Sequence, residues 1–363
     1  MAHVATITID YTKVPGDLTD YVGLIVPDGS AGYSALYALC LEGGGDIRLF
    51  KSDDTTELAR EMVSFSASAE TGEIHYKYSG TLSSSVDTDI HVYADGSSAD
   101  YAVGATFGRN AVWSDYAAVY HMNQDPSGSS PQMVDSTGNG SGASIGSMTS
   151  GDLVDGQIGK NLDFDGASGS LGDSINIGKN SEINATIEKT VSAWIKADVW
   201  NNTAYPHIVA QRDPGGLIWA FNKTNLGATD VLSFSHVGST RAFGAVSLPS
   251  SGTRHYVVGI ISSGLVPKIY LNGSQPSYFT QTTGSSLSTA TGIDTFIANK
   301  GGGDRAFDGE IDGVRIKATE DSANWITAEY NNQNSYNTFY SVAAVGGGST
   351  PAQAARRGAV MMG

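Results

Sequence analysis

The sequence predicts an all-β protein built as two tandem β-sandwich domains, and three observations carry that expectation. At 363 residues the chain exceeds the size at which single hydrophobic cores usually stop growing. Its 45 Gly, and 17 Tyr against 11 Phe and 5 Trp, suit short strands joined by tight turns better than long helices. Apolar residues alternate with period two in short runs, each closed by Gly, Pro, Asn, Asp or Ser.

Taken in order, "VATITIDYTKV" alternates up to a Pro15-Gly16 turn, and "YVGLIV" follows before the Pro27-Asp28-Gly29 turn. These two runs are expected to be neighbouring antiparallel strands. "SALYALCLEG" is a short helical candidate, and "GDIRLFKSD", "REMVSFSAS", "GEIHYKYSG" and "DTDIHVYADG" complete a small sandwich over residues 1–108. Near "FGRNAVWSDYAAVYHMNQ" the rhythm changes and a second unit, 109–340, begins. Its runs "NLDFDG", "TVSAWIKA", "PHIVAQRD", "DVLSFSHVG", "HYVVGIISS", "PKIYLNGSQ", "GIDTFIANK" and "DGVRIKA" suit a two-sheet jelly roll, with one short helix over Asn324 to Tyr330. Residues 341–363 read as a flexible linker, "GGGSTPAQ", and a peptide ending "AARRGAVMMG", which is either disordered or ordered against a neighbouring subunit.

Composition excludes several partners. A formal charge of −16 gives no electrostatic reason to bind nucleic acid or an anionic membrane surface. No run has the roughly 20 apolar residues of a membrane span, and no signal peptide is visible, so synthesis in the cytoplasm without export is expected. The single cysteine, Cys40, allows no intrachain disulfide and reads as a small buried hydrophobe.

The stretch "FDGEIDGVRI", residues 307–316, concentrates the candidate chemistry. On one regular strand Asp308, Glu310 and Asp312 share a face, yet Val314 and Ile316 have the same parity. A bulge near Gly313 resolves the conflict, turning Ile311, Val314 and Ile316 inward and leaving the carboxylates at the solvent face or sheet edge. A retaining glycosidase needs two carboxyl groups about 5 Å apart, and a Glu-x-Asp-x-Glu strand supplies them. Here Val314 replaces the second Glu, so no catalytic residue is expected. No H-E-x-x-H or G-x-S-x-G occurs either.

Two family resemblances rest on longer stretches. "ITIDYTKVPGDLTDYVGLIV", with "GGGDIRLFKSDDTTELAREMVSFSASAETGEIHYKYSGTLSSSVDTDIHVYADG", resembles a small β-sandwich domain of unassigned function found in bacterial surface and bacteriophage structural proteins. The ordered set "DSTGNG", "GKNLDFDG", "SAWIK", "KIYLNG" and "DGEIDGVRI" resembles the laminin-G-like, concanavalin-type jelly roll. That second resemblance implies a carbohydrate-binding or adhesive module, often carrying calcium at the sheet edge. One position departs from it: in "TRHYVV" Arg254 stands where Trp is usual. The pairing of domains without a leader is similar to virion proteins of tailed phages. It implies a non-enzymatic tail or head fibre or spike, a homo-oligomer that docks on other virion proteins through its N-terminal domain or C-terminal peptide and binds cell-surface glycans. The alternatives are a purely structural virion component that binds no sugar and an enzyme acting on polysaccharide.

Calcium takes six to eight oxygens, and the glycine-rich "VDSTGNGSG" offers Asp135 and Asn139. The resemblance implies that Asp308 or Asp312 closes such a structural site, whereas an Asx turn capped by Asp135 needs no ion. For sugars, which need an aromatic face beside amides or carboxylates, the loop candidates are Trp200, Asn201, Asn202 and Tyr205, with Tyr278 in "SQPSYFTQ". Trp194, inside a strand pattern, is expected in the core.

Overall fold

A computed structural model describes residues 1–167, 172–200, 205–213, 216–290, 292–301 and 303–345. It is all-β, with 46% strand and 12% helix. Two compact units divide it: Met1–Val112 together with the chain from Asn331 on, and Trp113–Tyr330. No helix among the described residues is long and apolar enough to cross a membrane.

The first unit is one seven-stranded antiparallel path, ordered Leu18–Ile25, Thr71–Leu82, Glu57–Ser66, Arg48–Lys51, Thr88–Ala94, Ala2–Ile9, Tyr340–Ala344. Period-two alternation decides which side chains go inward: Thr88, Ile90, Val92 and Ala94 are buried, and Ile7 opposite Ile90 is fully so. The two opening strands are not neighbours as expected. Ala2–Ile9 lies between Thr88–Ala94 and Tyr340–Ala344, while Leu18–Ile25 pairs with Thr71–Leu82. The short 3-10 turn Tyr11–Lys13, capped by the Asp10 carboxylate on the Thr12 amide, sends the chain away instead of closing a hairpin. Residues 341–344, expected as linker, are strand, and the "GGGSTPAQ" segment and terminal peptide lie outside the described residues. The short helix Ser34–Leu39 forms as read and ends at Cys40, which is half-buried where full burial was expected, and whose thiol is pushed up to about 12, chiefly by that burial.

The second unit stacks two antiparallel sheets. One has Leu153–Asp155, Lys160–Asp165, Asp308–Lys317, Lys189–Ala197, His255–Ile261 and Pro267–Leu271 in order, with Ala118–Tyr120 added along Asp308–Lys317. The other runs Tyr278–Thr282, Ala242–Ser247, Thr229–His236, Gly216–Leu226, His207–Asp213, Thr295–Ile297, Ser174–Gly178, Ser141–Ile145 and Met133–Val134. Val191, Ile195, Val257 and Ile311 of the first sheet meet Trp219, Phe221, Leu232 and Phe234 of the second in one apolar core.

The first sheet also buries its outer face. Trp194, Tyr256, Val258 and Ile260 pack beneath Ile326 and Tyr330, with the Trp194 and Tyr330 rings stacked at 5.8 Å. The helix that supplies those two residues is Ala323–Asn334, longer than the sequence suggested. Beside it the Arg315 guanidinium pairs with the buried Glu329 carboxylate, which also accepts the Tyr256 hydroxyl. Trp194 is a core residue, as expected, at 2% exposure.

Candidate functional site

The Asp308–Lys317 strand carries the bulge its sequence required. Against Lys189–Ala197 the register slips between Ser192 and Trp194, where Gly313 adopts φ +59°. Ile311, Val314 and Ile316 all enter the core in consequence. The carboxylates differ from expectation, because Glu310 and Asp312 are buried and not at the solvent face. Neighbouring loops close over them. Asp312 Oδ2 accepts the amides of Gln157 and Ile158 at 2.8 and 2.9 Å, pinning the turn before Lys160–Asp165. Glu310 accepts Asn161 Nδ2 at 2.9 Å, Lys196 Nζ at 2.6 Å and Arg254 Nη2 at 2.5 Å. Burial opposes its charged form, yet those three donors hold its carboxyl below the usual carboxylate range. Asp308, half-buried, is shifted upward by burial and by the nearby Asp198 and Asp165 carboxylates.

The expected calcium ligands do not assemble. Asp135, Asp308 and Asp312 are not among the described groups of three whose ligand atoms lie within 4.8 Å of one another. Asp135 Oδ1 is taken by the amides of Val119 and Thr137, both at 3.0 Å, and by the Thr137 hydroxyl at 2.8 Å. Asn139 turns its Nδ2 toward the Ala117 carbonyl at 3.4 Å. This is the Asx turn, tied to Ala118–Tyr120 by hydrogen bonds from Val119 and to Ala117.

Of the aromatic candidates, Trp200 is 7% exposed, donates Nε1 to the Pro249 carbonyl at 2.9 Å and packs edge-on against Phe307. It offers no face to a sugar. Tyr278 packs partly on the core, and its hydroxyl accepts the Ile269 amide at 2.7 Å. Asn201 and Asn202 lie outside the described residues. Tyr205 is different: it is 37% exposed and stands at a cleft of about 300 Å³.

That cleft opens on the face of the nine-stranded sheet turned away from the core. On Gly216–Leu226, Trp219 and Phe221 point into the core, so Ala220, Asn222 and Thr224 point outward and form the floor. His207, Arg212, Arg241 and Arg305 complete the walls. The Arg305 guanidinium lies 4.8 Å from the Tyr205 ring centroid, and Arg241 donates to Ser235 Oγ at 2.7 Å. His207 is 3% exposed, with Nδ1 bonded to the Tyr205 carbonyl at 2.7 Å and Nε2 buried without a partner. Burial foremost, then Arg212, Arg305 and Lys300, push its imidazole down to about 3. Apart from Tyr205, sequence reasoning missed these residues, which come from four separate segments. The one shared signal is faint: Arg241 and Arg305 each open an Arg-Ala-Phe tripeptide at the edge of a strand.

The two-sheet geometry agrees with comparison to known families. Residues 168–327 match the family model of the concanavalin A-like lectin/glucanases superfamily. The concanavalin A-like domain is also similar to solved structures. Domain 4 of an extracellular arabinanase from Geobacillus stearothermophilus, solved with arabinotriose, is 22% identical with a TM-score of 0.44 and covers 59% of this chain and 97% of that one. The binding domain of botulinum neurotoxin serotype C1 is 15% identical with a TM-score of 0.45, and that of Paraclostridial Mosquitocidal Protein 1 is 13% identical with the same score. These cover 61% and 60% of this chain and 52% of each neighbour, so the chain spans about half the length of both. No curated protein matches the chain significantly in sequence.

Proposed function

We propose that the protein is a non-enzymatic surface component of a bacteriophage particle, a tail or head fibre or spike, whose concanavalin A-like domain binds host or environmental glycans. The observation that carries the reading is the outer cleft of about 300 Å³, where an exposed Tyr205 ring stands beside Asn222 and Thr224. An aromatic surface with side-chain amide and hydroxyl groups around it is what a saccharide ring requires. The family model's description names lectins beside glucanases. Binding without cleavage is supported by Glu310 and Asp312, whose oxygens are engaged by Lys196, Arg254, Asn161 and two backbone amides. The particle setting rests on the pairing of a laminin-G-like domain with a first domain that resembles one of bacterial surface and bacteriophage structural proteins. There the chain assembles as a homo-oligomer and docks through its N-terminal unit or C-terminal peptide.

The test is a glycan array probed with the purified full chain and its Tyr205→Ala variant. Retention on a defined set of glycans, weakened in the variant, supports the reading. A folded chain that retains no glycan sinks it and leaves a purely structural virion role.

A further inference from the structure

The cleft runs against the charge of the rest of the molecule. The chain carries 37 acidic and 21 basic residues, yet among the described residues three guanidinium groups and no carboxylate line this one hollow. Among the described residues, none of Arg212, Arg241 and Arg305 makes an ion pair, whereas the neighbouring Lys223 and Lys300 pair with Asp230 and Asp304. Arg212 keeps a buried Nε without a hydrogen-bond partner. The Arg241 guanidinium is shifted below its usual range by burial and by Arg212 beside it. Clustered cations without counter-charge are costly, and an anionic ligand removes that cost.

His207 narrows the choice of anion. Its Nδ1 faces a carbonyl and must carry the hydrogen, so in the neutral ring Nε2 is an acceptor. That buried, unpartnered nitrogen asks for a hydroxyl, which a bare inorganic anion such as sulfate does not supply. Arginine forks match the two oxygens of a carboxylate.

We infer that the cleft takes an acidic sugar, its carboxylate held by Arg212, Arg241 and Arg305 and a neighbouring hydroxyl donated to His207 Nε2. This deepens the glycan-binding reading and rests on it.

The test uses titration calorimetry on the full chain with tri-galacturonic acid and sialyllactose, each against its methyl ester, and with sodium sulfate. An acid bound at least about tenfold tighter than its ester, and a further loss of about tenfold in Arg212→Gln or Arg241→Gln, is the expected result. Arg241→Lys, which keeps the charge, separates loss of charge from loss of fold. Equal affinity for acid and ester overturns the inference and leaves glycan binding standing, and the unaltered protein alone decides this. Acid binding that survives both glutamine substitutions overturns the assignment to this cleft. Sulfate held with neither acid bound marks an adventitious ion only and overturns the inference, while the glycan reading is decided by the array.

Discussion

Arg254 reaches across to Glu310, Nη2 to Oε2 at 2.5 Å. Lys196 grips the other oxygen at 2.6 Å, so one nearly buried carboxylate bridges two cations. Both cations are about a third exposed, and solvent screens part of the interaction. Glu310→Ala is therefore expected to cost about 2 kcal/mol in urea unfolding, below the roughly 3–5 kcal/mol of a fully buried pair. Glu310→Gln should leave glycan binding unchanged, and loss of binding with an intact fold would restore this strand as a site.

Two glycines of the same strand should respond differently. A Cβ on Gly313 at φ +59° meets nothing within 4 Å, so Gly313→Ala should cost about 1 kcal/mol, the strain of a left-handed backbone. At Gly309, φ +127°, a Cβ would fall 2.1 Å from the Lys196 carbonyl oxygen, and Gly309→Ala should abolish folding of the domain. Circular dichroism melts of the two variants compare them directly.

The aromatic pair Trp200 and Tyr205 should separate stability from binding. Trp200→Ala opens the core beside Phe307 and is expected to cost about 3–5 kcal/mol. Tyr205→Ala, at a partly exposed site, should change stability by no more than about 0.5 kcal/mol while weakening glycan binding.

Acid should loosen the concanavalin A-like domain through buried histidines. Burial chiefly pushes His207 down to about 3 and His236 down to about 4. Below about pH 6.5 the unfolded chain takes up these protons first, so stability falls as pH drops from 6.5 toward those values, by up to about 1.4 kcal/mol per pH unit for each ring. Asp173, raised to about 6 by burial and Asp165, works the other way between about pH 6 and 4, since the folded state protonates first. Urea unfolding at pH 7 and 5.5 should show the net loss, and His236→Gln should reduce it. An unchanged slope in that variant would exclude His236 as a source.

Chelation should leave the melting temperature unchanged, because hydrogen bonds from Val119 and Thr137 already hold the Asp135 turn. A rise in melting temperature when calcium is added to chelated protein would contradict this.

The sequence shows most where chemistry is local. The parity clash between Asp312 and Val314 announced the bulge, and the alternation in Thr88–Ala94 announced its buried face. Contacts set by distant chain are silent in it. Nothing around Trp200 reveals that Phe307 will lie against it, and polar neighbours in "VWNNT" make it read as a loop residue. The carboxylates of Glu310 and Asp312 looked solvent-facing because the Gln157, Ile158 and Arg254 that cover them come from other segments. For the same reason the cleft arginines, 29 and 64 residues apart in order along the chain (212 to 241, 241 to 305), form no motif.

The strand Tyr340–Ala344 completes the edge beside Ala2–Ile9, with Val342 opposite Ile7. A ribosome delivers that partner only after all of Trp113–Tyr330 has been made. Ala2–Ile9 therefore waits as an open edge through most of synthesis, while the later-made jelly roll has every strand of its own sheets in hand first. The unit at the front of the chain is the last to close, and a fragment cut at residue 108 would carry a permanently unpaired edge, prone to pair with another copy.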